Sequence, residues 1–280
     1  MKPLPVYLLA VAIACITASL EAQSSDKEQK AQMEERSPKG DNDDSSRLWI
    51  DFETVGESPA KELLSNSRIS LAEGEGPDGS DAIRVAYVAN SHGSERVLAS
   101  FPLGDGMKEA TLSFAVKFEE DFKWVKGGKL HGLGPKKTIT GGAKRRPEGW
   151  SARLMWREEG RVETYLYDQS PSKAFGVGDR TKEGIFRAGQ WHQVVFQVRL
   201  NDPGKNNGRA FIRIDGKTVI KTEDVEFRGE GGEETKIQQF MFNTFHGGQS
   251  PRYSPVDKKG KPITVYAWFD NFEVFEGKRD

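Results

Sequence analysis

The chain has a single cysteine, Cys15, and only four histidines, His92, His131, His192 and His246. One thiol closes no intrachain disulfide, so a stable domain has to rest on packing alone. The histidines share no metal-ligand spacing, which argues against a zinc centre, and no metal or cofactor is expected. An excess of charge of one sign is also lacking. The 41 basic side chains face 42 acidic ones, a formal net charge of -1, so no overall field draws the protein to nucleic acid or to an anionic membrane. Any preference for a charged partner must be local. Long apolar helical stripes are missing as well: none exceeds about three turns, residues 63–66 make at best a short turn of helix, and no internal repeat is found.

What is present begins with Lys2, an apolar run over 6–14 and small or polar residues through Ala22. Residues 1–22 read as a secretory signal peptide, too short to stay in a bilayer as a spanning helix. The order Ala12-Ile13-Ala14-Cys15 is similar to the lipid-attachment site of bacterial lipoproteins, although Ala12 stands where a larger aliphatic residue is usual. A lipid anchor at Cys15 is therefore the alternative to simple cleavage near Ala18 or Ala22, and the expected location is secreted or periplasmic, or anchored at the envelope. Residues 23–46 hold no aromatic or branched aliphatic side chain. Such a composition cannot offset the entropy of ordering and predicts a disordered polar linker.

From residue 47 to 280 the length suits one sandwich domain. Short runs with period-two alternation fall between turn signals at 48–52, 82–87, 97–101, 110–118, 151–156, 161–167, 192–200, 210–214, 237–244 and 264–275. Thirty glycines supply the turns. The pattern predicts an all-β fold of two packed antiparallel sheets.

The stretch from Trp150 to Tyr167 reads as a hairpin. Glu158-Glu159-Gly160 fits a three-residue loop closed by a glycine with positive φ. Arg157 then faces Arg161, Arg153 lies opposite Tyr165, and Ser151 lies opposite Tyr167. Ser151, Arg153, Tyr165 and Tyr167 share one face, while Ala152, Leu154, Trp156, Val162, Thr164 and Leu166 point to the core. Lys126-Gly127-Gly128-Lys129 adds a further cation beside a glycine pair that permits close backbone approach by a ligand.

A cluster of this kind suits β-elimination on a uronic acid. The reaction takes the proton from carbon 5 and expels the glycosidic oxygen from carbon 4, and charge accumulates on the adjoining carboxylate, where a cation lowers the barrier. Arginine offers a planar fork for that carboxylate. Tyrosine can pass a proton if neighbouring cations pull its pKa below about 10. The expected division of labour is neutralisation by Arg153 and Lys129 with proton transfer by Tyr165 and Tyr167; Lys129 as the base is the alternative.

The runs Val125 to Leu130, Ser151 to Arg157 and Tyr165-Leu166-Tyr167 resemble polysaccharide lyase family 14. So do Trp191-His192, Arg199 to Gly204 with Asn207-Gly208, Asn243 to Gly248 and Phe269-Asp270-Asn271-Phe272. The resemblance covers most of the chain from about 110 to 275. It implies a jelly roll acting on alginate or a related polyuronate such as glucuronan, with Lys129, Arg153, Tyr165 and Tyr167 as catalytic residues and Ser151 in the cleft. The partner it implies is an acidic polysaccharide. His131 stands where proline is more usual and His246 where an aromatic is more usual; both are candidate substrate contacts, with Lys144 and Arg146 of the basic loop 134–149, which also holds Lys136, Lys137 and Arg145.

Two other functions compete. A non-catalytic carbohydrate-binding jelly roll would use the same groove without cutting. A glycoside hydrolase would need two carboxylates in the cleft, and only Glu163 shares the site face. Gly74-Glu75-Gly76-Pro77-Asp78-Gly79 matches a nucleotide-loop pattern, but its proline and lack of a following helix make it a turn. Gly149-Trp150-Ser151-Ala152-Arg153 lacks the last glycine of a nucleophile elbow.

Overall fold

A computed structural model describes residues 46–56, 59–170 and 174–278. The expected signal peptide, Cys15 and the linker up to residue 45 lie outside the described residues. The domain consists of strands β1 (Ser46–Ile50), β2 (Ile69–Ala72), β3 (Ala82–Asn90), β4 (Gly93–Ser94), β5 (Val97–Met107), β6 (Glu109–Phe118) and β7 (Gly128–Gly134). It continues with β8 (Ser151–Trp156), β9 (Val162–Tyr167), β10 (Trp191–Arg199), β11 (Gly208–Ile214), β12 (Lys217–Val225), β13 (Ile237–His246) and β14 (Thr264–Glu276). A short helix α1 (Ala60–Leu64) joins β1 to β2. None of the described helices is long and apolar enough to cross a membrane.

The strands form two antiparallel sheets. The larger runs β12-β11-β10-β6-β14-β3-β2, with β1 on β14 and β4 on β3; the smaller runs β5-β13-β7-β8-β9. This is the two-sheet sandwich of a jelly roll. Its core forms because alternate residues of each strand are apolar: Leu112, Phe114, Val116 and Phe118 of β6 and Val194, Phe196 and Val198 of β10 meet Leu130, Leu154, Trp156, Phe240 and Phe242 of the smaller sheet in one cluster.

Four strands are additional to the expected ones: β2, the two-residue β4, β7 and β12. β12 (KTVIKTEDV) has too few apolar positions to stand out. β7 contains Gly128, Gly132 and Gly134, which weaken its strand signal. Those glycines make room for protein, not ligand. A Cβ on Gly127 would sit 2.3 Å from the Trp156 carbonyl oxygen, and one on Gly128 would sit 2.1 Å from the Trp156 ring. The close approach inferred from the sequence is therefore made by β8.

In β8 and β9 every residue is buried. The inner face meets the larger sheet, and the outer face lies under two chain segments. Residues 177–181 run along β9, with Leu166 N–H donating to Val177 O at 2.7 Å and Thr181 N–H donating to Val162 O at 2.9 Å. That pairing protects what would otherwise be an open sheet edge.

Candidate active site

The hairpin has the register its sequence dictates. Ser151 pairs with Tyr167, Arg153 with Tyr165 and Met155 with Glu163, and the Arg157 N–H donates to Arg161 O at 2.7 Å. The turn differs in one detail: Glu159 as well as Gly160 has positive φ, 61° and 73°. β7 then brings Lys129 opposite Met155. The Lys129 Nζ lies 4.3 Å from the centroid of the Tyr165 ring. The Arg153 guanidinium lies 5.4 Å from the same ring and 5.8 Å from that of Tyr167. The two phenol rings meet edge to face at 5.7 Å. All four expected catalytic side chains thus share the outer face of the smaller sheet.

Their electrostatics follow from burial. Arg153 is 3% exposed, and its Nε is buried with no hydrogen-bond partner. Desolvation, then the charges of Arg153 and Arg157, push the Lys129 ammonium well below its ordinary pKa. Tyr165 moves the other way, up to about 12, because burial and the neighbouring Tyr167 oppose ionisation more than Arg153 favours it. The expectation that cations lower the tyrosine pKa is therefore corrected for Tyr165: desolvation of the phenolate outweighs the guanidinium. Tyr165 stays a proton donor, and Lys129 is the group eased toward its neutral form.

The outer carboxylate of β9 is neutralised within the protein. Glu163 accepts a bond from Arg157 Nε at 2.9 Å and from Arg180 Nε at 2.5 Å, and Arg157 Nη2 closes a second bond to its other oxygen. A carboxylate tied to two guanidiniums is no free acid or base. The pair of carboxylates a glycoside hydrolase needs is not assembled here.

Ser151 lies beneath this face but uses its proton internally. Its Oγ donates to Ile139 O at 2.7 Å and is fully buried. The bond anchors the loop between β7 and β8, and Ile139 packs with Met155, Tyr165 and Tyr167 as a satellite apolar cluster. Ser151 therefore supports the site from below; the expected substrate contact is replaced by a structural one.

Both histidines proposed as substrate contacts belong to the interior. Alternation from Lys129 would place His131 on the same face, but β7 carries one extra residue against β8: Lys129 pairs with Met155, whereas Gly132, not His131, pairs with Arg153. This bulge turns His131 inward. It is fully buried between the rings of Phe114, Phe242, Phe269 and Phe272, at centroid distances of 4.4 to 5.0 Å, with neither ring nitrogen partnered. His246 points to the core from β13, donates from Nε2 to Lys123 O at 2.7 Å and packs on Tyr87, Phe122 and Trp156. His192 is buried away from the site, its Nδ1 2.7 Å from an Asp215 carboxylate oxygen.

In the basic loop, Lys136, Lys137 and Lys144 are exposed, and Arg146 is exposed beside Glu148 at 3.5 Å. Neither Lys144 nor Arg146 is brought onto the catalytic cluster. Arg145 is: its guanidinium lies 4.4 Å from the Tyr167 ring and donates to Phe175 O at 3.1 Å. The Tyr167 hydroxyl accepts the Gly142 N–H at 2.8 Å. The loop glycine Gly176 abuts Tyr165 so closely that a Cβ there would sit 2.9 Å from the ring. Sequence spacing gives no means of choosing Arg145 over its two basic neighbours, because loop geometry carries no period. Among the described residues, no group of three or more His, Cys, Asp or Glu is placed to hold a metal ion.

The smaller sheet thus sets a buried guanidinium and a part-buried ammonium beside two phenols, a face suited to an anionic ligand. The family model for Polysaccharide lyase 14 matches residues 77–272, and the chain belongs to that family; it is a polysaccharide lyase. A comparison with curated proteins gives no match. Among solved structures, it is similar to alginate lyase Aly36B in a variant bound to alginate tetrasaccharide, at 23% identity over 84% of this chain and 98% of that one, with a TM-score of 0.67. It is also similar to the marine PL-14 alginate lyase of Aplysia kurodai, at 22% identity over 83% and 100% of the two chains, with a TM-score of 0.63. The endo-beta-1,4-glucuronan lyase of the fungus Trichoderma reesei shares the fold at 15% identity over 83% and 96%, with a TM-score of 0.57.

Proposed function

We propose that the protein cleaves a uronate polymer, alginate or glucuronan, by β-elimination, with Arg153 neutralising the carboxylate, Lys129 acting as base and Tyr165 as acid. The carrying observation is the opposed tuning of two groups in contact: a desolvated ammonium 4.3 Å from a phenol held protonated. Neutral Lys129 takes the proton from carbon 5. The released electron pair enters the enolate of the carboxylate beside Arg153 and then forms the bond between carbons 4 and 5. The bond from carbon 4 to the glycosidic oxygen breaks, and that oxygen takes the Tyr165 proton. Return of a proton from Lys129 to Tyr165 restores both groups, so a turnover needs no external acid, base or oxidant.

Solved structures of similar fold named as alginate and glucuronan lyases support the substrate class. Incubation with polymannuronate, polyguluronate and glucuronan tests it. Ultraviolet absorbance from the unsaturated product is expected with at least one; binding without that chromophore would favour a lectin-like role, and cleavage without it would favour hydrolysis. A polymeric substrate calls for an exported protein, with residues 1–22 removed or Cys15 lipidated.

A further inference from the structure

The outer face of the smaller sheet holds more positive charge than one carboxylate uses. Lys129 and Arg153 make no ion pair with a carboxylate among the described residues, and Glu163 is already held by Arg157 and Arg180. A third cation shares their field. Arg96, just before β5, is exposed, and its charge disfavours protonation of both Lys129 and Arg153. It too has no carboxylate partner among the described residues; its guanidinium rests 5.4 Å from the Phe245 ring. Mutually repelling cations on a partly desolvated face are unfavourable unless an anion joins them.

The register gives the direction in which that anion extends. Val97 pairs with Thr244, so Arg96 falls beside Phe245; Phe245 pairs with Lys129, Lys129 with Met155 and Met155 with Glu163. Arg96 therefore lies two strand spacings, about 10 Å, from β7. A polymer crossing the strands with one carboxylate at Arg153 passes a later carboxylate over Arg96. Phe245 beneath it supplies an apolar flank and fixes the guanidinium plane.

We propose that Arg96, seated on Phe245, is a second carboxylate subsite that binds a uronate further along the same polymer. The subsite rests on the polyuronate reading, and a measurement that needs no turnover separates the two. In a Tyr165→Phe background, the Kd for polymannuronate, polyguluronate and glucuronan is read from retardation in gels containing each polymer. Adding Arg96→Ala is expected to raise the Kd for the bound polymer about tenfold, the loss of one charge-assisted bond. Arg96→Lys restores part of it, because a point charge lacks the planar fork. Lys221→Ala, exposed on β12 of the other sheet, leaves the Kd unchanged.

Equal retardation with and without Arg96, or an equal loss in Lys221→Ala, overturns the subsite. Absence of retardation in all three gels overturns it together with the substrate class. A wild-type protein that gives no unsaturated product while its retardation depends on Arg96 sinks the elimination alone. Product formation with retardation independent of Arg96 sinks the subsite alone.

Discussion

Acid should loosen this fold through two histidines that the structure keeps neutral. His131 is fully buried with both ring nitrogens unpartnered, and His246 is 1% exposed with one bond to Lys123 O. Burial holds the first well below its ordinary pKa and the second at about 4. In the unfolded chain both titrate near 6.5. Below that pH the unfolded state binds more protons than the folded one, so stability falls as pH falls through 6.5, by about 1.4 kcal/mol per pH unit for each histidine. Between pH 6.5 and 5 His246 alone removes about 2 kcal/mol, a large share of the ~5–15 kcal/mol that holds a domain together, and His131 acts in the same direction. Asp270 opposes them. Burial raises its carboxyl to about 7 despite bonds from Ser80 and the Asn271 N–H, so the folded state binds the extra proton there and gains stability as pH falls through 7. The diagnostic is therefore a difference between proteins, not the wild-type slope.

Urea midpoints measured from pH 8 to pH 5 on wild type, His131→Leu and His246→Phe give that difference. Each variant is expected to lose about 1.4 kcal/mol per unit of wild-type acid sensitivity below pH 6.5. His131→Leu should also be more stable at pH 8, by about 1–3 kcal/mol, since it removes two unsatisfied buried nitrogens. Variants with the wild-type slope, or a His131→Leu protein less stable at pH 8, would refute the reasoning.

Tyr165→Phe and Lys129→Ala should each lower kcat about 10²–10⁴-fold with little change in thermal midpoint, as both act in proton transfer on the groove face; unfolding of either counts against their placement. The acid limb of kcat/KM should lie well below pH 10, because burial lowers Lys129 and activity rises as its ammonium loses the proton; a limb near pH 10 would remove it as the base. Gly176→Ala should cut kcat by displacing the Tyr165 ring while leaving the midpoint within a few degrees, and unchanged turnover would show that the contact is immaterial. Ser151→Ala should cost about 1 kcal/mol in stability through the lost bond to Ile139 and lower kcat less than Tyr165→Phe does. Mass spectrometry of the mature protein should find a new N-terminus after Ala18 or Ala22 or a lipidated Cys15, and an intact Met1 would discard the signal peptide.

The sequence disclosed the site wherever a period of two carried the information. Arg153 opposite Tyr165 and Ser151 opposite Tyr167 followed from one turn and simple alternation. His131 was suggested by its place in the family motif, and its inward turn was not legible because a bulge is an insertion in pairing, not in composition, and leaves no trace in a single strand. His246 followed its strand's alternation inward, but the motif that suggested a cleft role holds no register. The tuning of Lys129 and Tyr165 was hidden for another reason: it depends on how deeply each is desolvated, and for Tyr165 that depth comes in part from the loop residues Ile139 and Gly176. Arg96 was overlooked because its neighbours Lys129 and Phe245 are distant in sequence and meet it only through the order of strands.

The extra residue in β7 lets one strand send two adjacent side chains, Leu130 and His131, into the core. Lys129 and His131 are two positions apart yet look in opposite directions, one toward the groove and one into the phenylalanine-lined interior. Deleting either Leu130 or His131 would restore regular pleating with Lys129 still opposite Met155 and Gly132 still opposite Arg153, and would remove one of two adjacent side chains that fill the core. The bulge thus adds a side chain to the interior without moving the groove residues on either side of it.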